Sequence, residues 1–155
     1  MQIYLHIPNV TGDSTAAGFE GQFEAESFIW GGGSIVNAGT TRSFTTSSTA
    51  VSVSKLGEMN SPTLMLFMVT KSTLNSVVIT MTKVVNSKNL PAQVYTLSNA
   101  LISSFSQSAG RNSVPDENMT FTFSRITYQQ LYYDSAGIKT GDETHYWDVA
   151  GKVAG

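Results

Sequence analysis

From Asn118 to Tyr133 apolar side chains recur at every second residue, and the phase of that alternation switches once. Met119, Phe121 and Phe123 fall on one side against Thr120, Thr122 and Ser124, whereas beyond Arg125 the apolar parity passes to Ile126 and Tyr128. A period of two marks a half-buried strand. A change of parity inside it predicts a bulge near Ser124–Arg125 that bends the strand. Bent, bulged strands are how antiparallel sheets turn corners and close into barrels.

The same period runs through most of the chain. Gln2–Ile7 sets Ile3, Leu5 and Ile7 against Gln2, Tyr4 and His6. After a loop at Gly12-Asp13-Ser14, the segment Gln22–Trp30 sets Phe23, Ala25 and Ile29 against Gln22, Glu24 and Glu26, and Gly31-Gly32-Gly33 ends it. Ser34 to Ala50, rich in Ser, Thr and Gly, predicts a long loop or a protruding hairpin, and Val51–Lys55 resumes the alternation. Val77, Ile79 and Met81 define another strand, a turn spans Asn86 to Pro91, and Gln93–Ser106 is long enough for one extended strand or two. A second turn covers Gly110 to Pro115, and a loop from Asp134 to Glu143 precedes a final strand at Thr144–Val149. The one helical segment is Pro62 to about Lys71, with Ser61 as N-cap and Pro62 at the first helical position. About eight strands and one short helix predict a β-barrel or sandwich.

That helix carries Leu64, Met65, Leu66, Phe67, Met68 and Val69 and is apolar all round, where a surface helix normally keeps one polar face. Either it is deeply buried in its own chain, or one side covers the end of a sheet or barrel while another meets a second subunit. The 155 residues suit a single domain, 1–155, able to bury a real core. Only 13% of residues are charged and the net charge is −2, while roughly a quarter are Ser or Thr. Such a surface is solvated but repels its own copies weakly, which permits self-association. It offers no basic stripe for nucleic acid. There is no cysteine, hence no disulfide or thiolate metal site. The N-terminus lacks the basic and apolar regions of a cleavable signal peptide, and the longest apolar run, Leu64 to Val69, is far short of a membrane span. The expectation is a chain that starts in the cytoplasm and is exported, if at all, without a cleaved signal.

No catalytic, cofactor-binding or metal constellation stands out. His6 and His145 lie at opposite ends of the chain without the context of a catalytic base, and no Gly-x-Ser-x-Gly elbow is present. Glu24 and Glu26 share one strand face, which is more often solvated than catalytic. Gly31-Gly32-Gly33 is followed by no lysine in phosphate-loop spacing, and Asp134-Ser135-Ala136-Gly137 has too few acidic ligands for a calcium loop. Tyr128, Tyr132 and Tyr133 could supply the aromatic platform of a carbohydrate-binding β-domain, although barrel packing accounts for them better.

Several segments, in order, resemble the haemolysin-coregulated protein (Hcp) family of type VI secretion systems. Ile7-Pro8-Asn9-Val10-Thr11-Gly12-Asp13-Ser14 resembles the family's opening strand and its Gly-Glu-Ser turn, with Asp13 in place of glutamate. Phe23-Glu24-Ala25-Glu26-Ser27-Phe28-Ile29-Trp30-Gly31 is similar to the strand ending in Ser-Trp-Gly, and Ser61-Pro62-Thr63-Leu64 resembles the Ser-Pro-x-Leu helix start. Leu101-Ile102-Ser103-Ser104 resembles a Val-Ser-Ser strand. Glu117 to Phe123 with Arg125-Ile126 resembles the Glu-x-Val-x-Leu-x-Phe-x-x-Ile strand, and Tyr146-Trp147-Asp148 the terminal Trp-Asp strand. Ile35 to Ala50 departs from the pattern.

The resemblance implies an antiparallel β-barrel of two packed sheets with a flanking α-helix, acting as a structural subunit and not as an enzyme. Six copies would form a ring, and rings would stack into the inner tube of a contractile apparatus. A spike protein of the VgrG type would cap the tube, a contractile sheath would surround it, and small effectors could ride in the lumen. By analogy with the family's extended loop, the Gly31–Ala50 stretch is the expected ring–ring contact, with Gly31, Gly32, Gly33, Ser34, Thr40, Thr41 and Arg42 as candidates. Leu64, Met65, Phe67 and Met68 of the helix are the expected lateral contact. A tail-tube subunit of a phage-like or extracellular particle belongs to the same structural class.

Overall fold

The computed structural model describes residues 1–36, 44–47, 50–149 and 151–155. Its long central strand β7 (Lys88–Ser108, 21 residues) organises the others. On one edge it pairs with β6 (Leu74–Val85), from Leu74↔Ala100 to Val85↔Lys88. On the other edge it pairs first with β9 (Arg125–Tyr133) along Gln93–Ser98 and then with β8 (Asp116–Thr122) along Leu101–Ser108. β6 continues to β1 (Ile3–His6), β2 (Phe23–Trp30) and β5 (Ala50–Leu56), and β5 returns to β8. Six strands therefore close into an antiparallel barrel. Beyond it β9 carries β10 (Lys139–Asp148) and the short β11 (Val153–Ala154). β3 (Gly33–Val36) and β4 (Phe44–Ser47) pair separately, realising the hairpin alternative for the Ser/Thr-rich stretch. The strand count exceeds the expected eight or so because of this pair and the C-terminal β11.

The expected bend falls where the alternation changes phase. β8 ends at Thr122 and β9 begins at Arg125, with Met119, Phe121, Phe123 and Ile126 all buried on the same inner side. Ser124 fixes the corner: its backbone N–H and its hydroxyl both donate to the Ser98 carbonyl, at 3.0 and 3.1 Å. Opposite it Asn99 takes a left-handed conformation (φ 50°) and its amide donates to Ser124 Oγ at 3.2 Å. Asn tolerates that region better than most residues, so β7 turns the corner there while changing partner from β9 to β8.

Three expectations about the strands and their connections are corrected. A register shift between Ala25 and Ser27 on β2 inserts Glu26 as a bulge. Parity flips, Phe28 and Trp30 pack against the core, and Ile29 points out with 67% exposure. The turn after β6 is only Asn86-Ser87, both at positive φ as a two-residue hairpin requires. Pro91 therefore lies inside β7, at the irregularity between Met81 and Thr82 on β6, where a missing N–H is tolerated. β10 begins at Lys139, so the loop after Tyr133 is shorter than expected. It is tightened by Asp134 Oδ1, which accepts from the N–H groups of Ala136 and Ile138.

Helix α1 runs Ser61–Val69, ending earlier than expected, and Ser61 is its first residue and not its cap. The flanking residue is Asn60 (φ 65°), whose side chain donates to the Thr11 carbonyl at 2.7 Å. The core is continuous: Leu5, Phe23, Val51, Val53, Ile79, Leu97, Ile102 and Phe121 fill the barrel and Leu64 of α1 closes onto them. Leu97 is wholly buried at the centre of β7, so Leu97→Ala is expected to cost about 2–5 kcal/mol through lost burial and a residual cavity. Urea denaturation monitored by circular dichroism measures it.

Candidate assembly surfaces

Inward alternation on β5 runs Val51, Val53, Lys55, and on β8 it runs Phe121, Met119, Glu117. The last member of each is charged, and the two are direct cross-strand partners. Lys55 Nζ lies 2.6 Å from Glu117 Oε2, and both side chains are fully buried. Such a pair is tolerated only with its remaining valences satisfied. Lys55 also donates to the Leu56 carbonyl at 3.0 Å and to Ser61 Oγ at 3.2 Å, and lies 5.0 Å from the centre of the Phe23 ring. Glu117 Oε1 accepts from Gln107 Nε2 at 2.7 Å. Sequence reasoning missed this pair, although its inward parity was readable.

The charge pair seats the helix. Ser61 Oγ, beside Lys55, accepts the N–H of Glu58 at 3.1 Å. Glu58 Oε2 accepts the N–H of Asp13 at 3.0 Å, and Asp13 Oδ2 accepts that of Met59 at 3.3 Å. Gly12 is required beside them, since a Cβ there would sit 2.5 Å from the Gln22 carbonyl oxygen. The Gly12-Asp13-Ser14 turn thus clamps the loop that starts α1. Burial raises the Glu58 carboxyl above its ordinary range, against the opposing pull of the Asp13 N–H and Lys55.

With its start pinned, α1 divides its apolar residues between two environments. Leu64 is fully buried and Phe67 and Met68 are half-buried against the core, so these three candidates hold the helix down. Met65, Leu66 and Val69 are exposed at 48%, 52% and 65%. Of the four lateral-contact candidates only Met65 lies on that outer face, and Leu66 and Val69 join it. Beside it a hollow of about 230 Å³ is lined by Ser61, Pro62, Met65, Phe105 and Gln107. Among the hairpin candidates, Gly31 and Gly32 are exposed and Gly33 and Ser34 begin β3, whereas Thr40, Thr41 and Arg42 lie outside the described residues.

Other candidate chemistry stays apart. His6 and His145 stand on β1 and β10, with β6, β7 and β9 between them. Glu24 and Glu26 are exposed at a notch of about 320 Å³ beside Met1 to Tyr4. No group of three metal-capable side chains occurs among the described residues, and no helix among them is long and apolar enough to cross a membrane. The tyrosine platform is split: Tyr128 and Tyr132 share a face, while the Tyr133 hydroxyl donates to the Pro91 carbonyl at 2.6 Å from the opposite one.

The profile of the family described as "Type VI secretion system effector, Hcp" matches residues 4–130. The chain belongs to this Hcp family. No curated protein matches it in sequence. Among solved structures, one described as a type six secretion system protein superposes with a TM-score of 0.88 at 19% identity, covering 99% of both chains. Hcp1 from Salmonella typhimurium gives 0.80 at 18% identity, over 99% of this chain and 97% of that one. The secreted protein Hcp3 from Pseudomonas aeruginosa gives 0.62 at 16%, over 92% and 96%. At such identities the likeness establishes the fold. The Hcp-like motifs also acquire physical roles here. Trp30 packs 6.0 Å from Tyr95, Trp147 packs against the core, and Asp148 pairs with Arg125 at 3.4 Å.

Two outcomes follow for the helix seat. Glu117→Leu leaves the buried Lys55 with only the longer Glu58 Oε1 contact at 3.5 Å and is expected to cost about 3 kcal/mol, whereas Lys55→Met combined with Glu117→Leu recovers most of that loss. Denaturant titration of the double-mutant cycle measures both. Glu58, with its folded-state pKa raised, contributes stability that is full below the ordinary carboxylate range and is lost as pH rises through the raised value. Thermal melts of Glu58→Gln should therefore gain on the native chain as pH goes from about 4 to about 7.

Proposed function

We propose that this chain is the ring-forming subunit of the inner tube of a type VI secretion apparatus. Six copies close a ring, and rings stack inside a contractile sheath. A spike protein of the VgrG type sits at the tip, and contraction expels the tube with any small effector in its lumen. Beyond family membership, the observation that carries the reading is the outer face of α1. Met65, Leu66 and Val69 are presented to solvent on a helix whose start is fixed by a buried ion pair and a clamped turn. A rigid apolar face of this kind suits a heterologous contact, which generates a closed ring when the rotation between copies closes. The β3–β4 hairpin with its glycine-rich base, Gly31-Gly32-Gly33, is the proposed stacking contact.

Charge placed on each surface separates the two contacts. Met65→Asp should convert rings to protomers in size-exclusion chromatography with light scattering, while Ser34→Asp should leave rings intact and abolish only their stacking. Assembly unchanged in both variants would overturn the assignment of surfaces.

A further inference from the structure

The sheet that runs out of the barrel through β7, β9 and β10 carries a recognition surface apart from α1 and the β3–β4 pair. Its cross-strand register places Tyr95, Tyr128 and His145 in one row and Gln93, Gln130 and Glu143 in the next. Tyr132 follows, with Gly141 as its neighbour on β10. Tyr128, Gln130, Tyr132, Glu143 and His145 line a hollow of about 430 Å³, within the usual range for small-ligand sites.

The floor is pre-organised. Tyr95 and Tyr128 stack with centroids 4.6 Å apart and planes 6° from parallel. Phe28 and Trp30 back Tyr95 from inside the barrel, at 4.8 and 6.0 Å. Gln130 Oε1 accepts from both Gln93 Nε2 (3.1 Å) and the Tyr128 hydroxyl (2.7 Å). That uses both acceptor positions of Gln130 and leaves its Nε2 as a donor. Directly opposite in register stands Glu143, whose Oε1 lies 3.1 Å from His145 Nε2, leaving Oε2 as an acceptor. Tyr132 is 46% exposed, and the absence of a side chain at Gly141 keeps the space beside its ring open.

We infer that this hollow binds a neutral saccharide, with a pyranose C–H face on the Tyr132 ring and neighbouring hydroxyls bridging Gln130 and Glu143. A vicinal diol both accepts and donates, which matches an amide donor beside a carboxylate acceptor. Tyrosine rings supply apolar area at low entropic cost. An alkylammonium ion would use the rings and the carboxylate but leave the Gln130 amide unmatched. The inference is independent of the ring role, since none of these residues lies on α1 or the β3–β4 pair.

Isothermal titration calorimetry of the full chain with maltotetraose, cellotetraose and chitotetraose tests it, with choline as the cationic control. At least one oligosaccharide should bind with Kd of about 1 mM or tighter. Tyr132→Ala and Gln130→Ala should each weaken it about tenfold, Tyr132→Phe should retain it, and choline should not bind. Met65→Asp should leave binding unchanged, which separates this result from the fate of the ring contact. Absence of binding to all three sugars, affinity unaffected by Tyr132→Ala, or preferential choline binding would overturn the inference.

Discussion

Strand β7 is the constraint on which the rest of the molecule depends. One edge is committed to β6 and the other is shared in succession by β9 and β8. The β8 pairing closes the barrel, while the β9 pairing launches the sheet that carries β10 and the C-terminus. A strand of 21 residues serves two partners on one edge only if both bend at the same level. The Asn99 left-handed residue and the Ser124 hydrogen bonds to Ser98 provide that shared corner. The β6 and β8 pairings join strands adjacent in sequence, whereas β7–β9, β1–β6 and β5–β8 join remote ones, so closing the barrel must meet loop-closure entropy.

The buried Lys55–Glu117 pair is the least economical feature of the core and the most informative. An apolar pair of similar volume would hold β5 to β8 at least as well. What the charges add is direction: Lys55 reaches Ser61 as well as Glu117, tying the first turn of α1 to the barrel wall. The Gly12-Asp13-Ser14 turn holds the same loop from the other side. The preceding strand β5 and two segments remote in sequence, β8 and the Gly12–Ser14 turn, thereby fix the orientation of one short helix. That is how an apolar face such as Met65, Leu66 and Val69 is held outward when hydrophobic burial alone would favour rolling it in.

Much of this was legible in the sequence, because period-two alternation directly reports which side chains face a core. The parity switch beyond Arg125 located the corner, and Leu64 to Val69 was readable as the only helix among the described residues. The errors share one physical cause: local periodicity does not register what a partner strand does. The Glu26 bulge that turns Ile29 outward is defined only against β5, and the place of Pro91 in β7 only against β6. Ser61 has the chemistry of an N-cap, but its hydroxyl is engaged by Lys55 and Glu58. Grouping Tyr133 with Tyr128 and Tyr132 as one platform ran against period-two parity, which puts Tyr133 on the opposite face. The polar neighbours of Tyr128 and Tyr132, Glu143 and His145, come from another strand and required the register of β9 on β10.

Family membership and fold establish a type VI secretion protein of the Hcp kind. The step from that fold to a ring rests on the exposed face of a rigidly seated helix. Negative-stain electron microscopy of the purified native chain tests this most directly. Six-fold rings with an open centre, alone or stacked, are the result the account predicts; uniform single protomers at every concentration would contradict it.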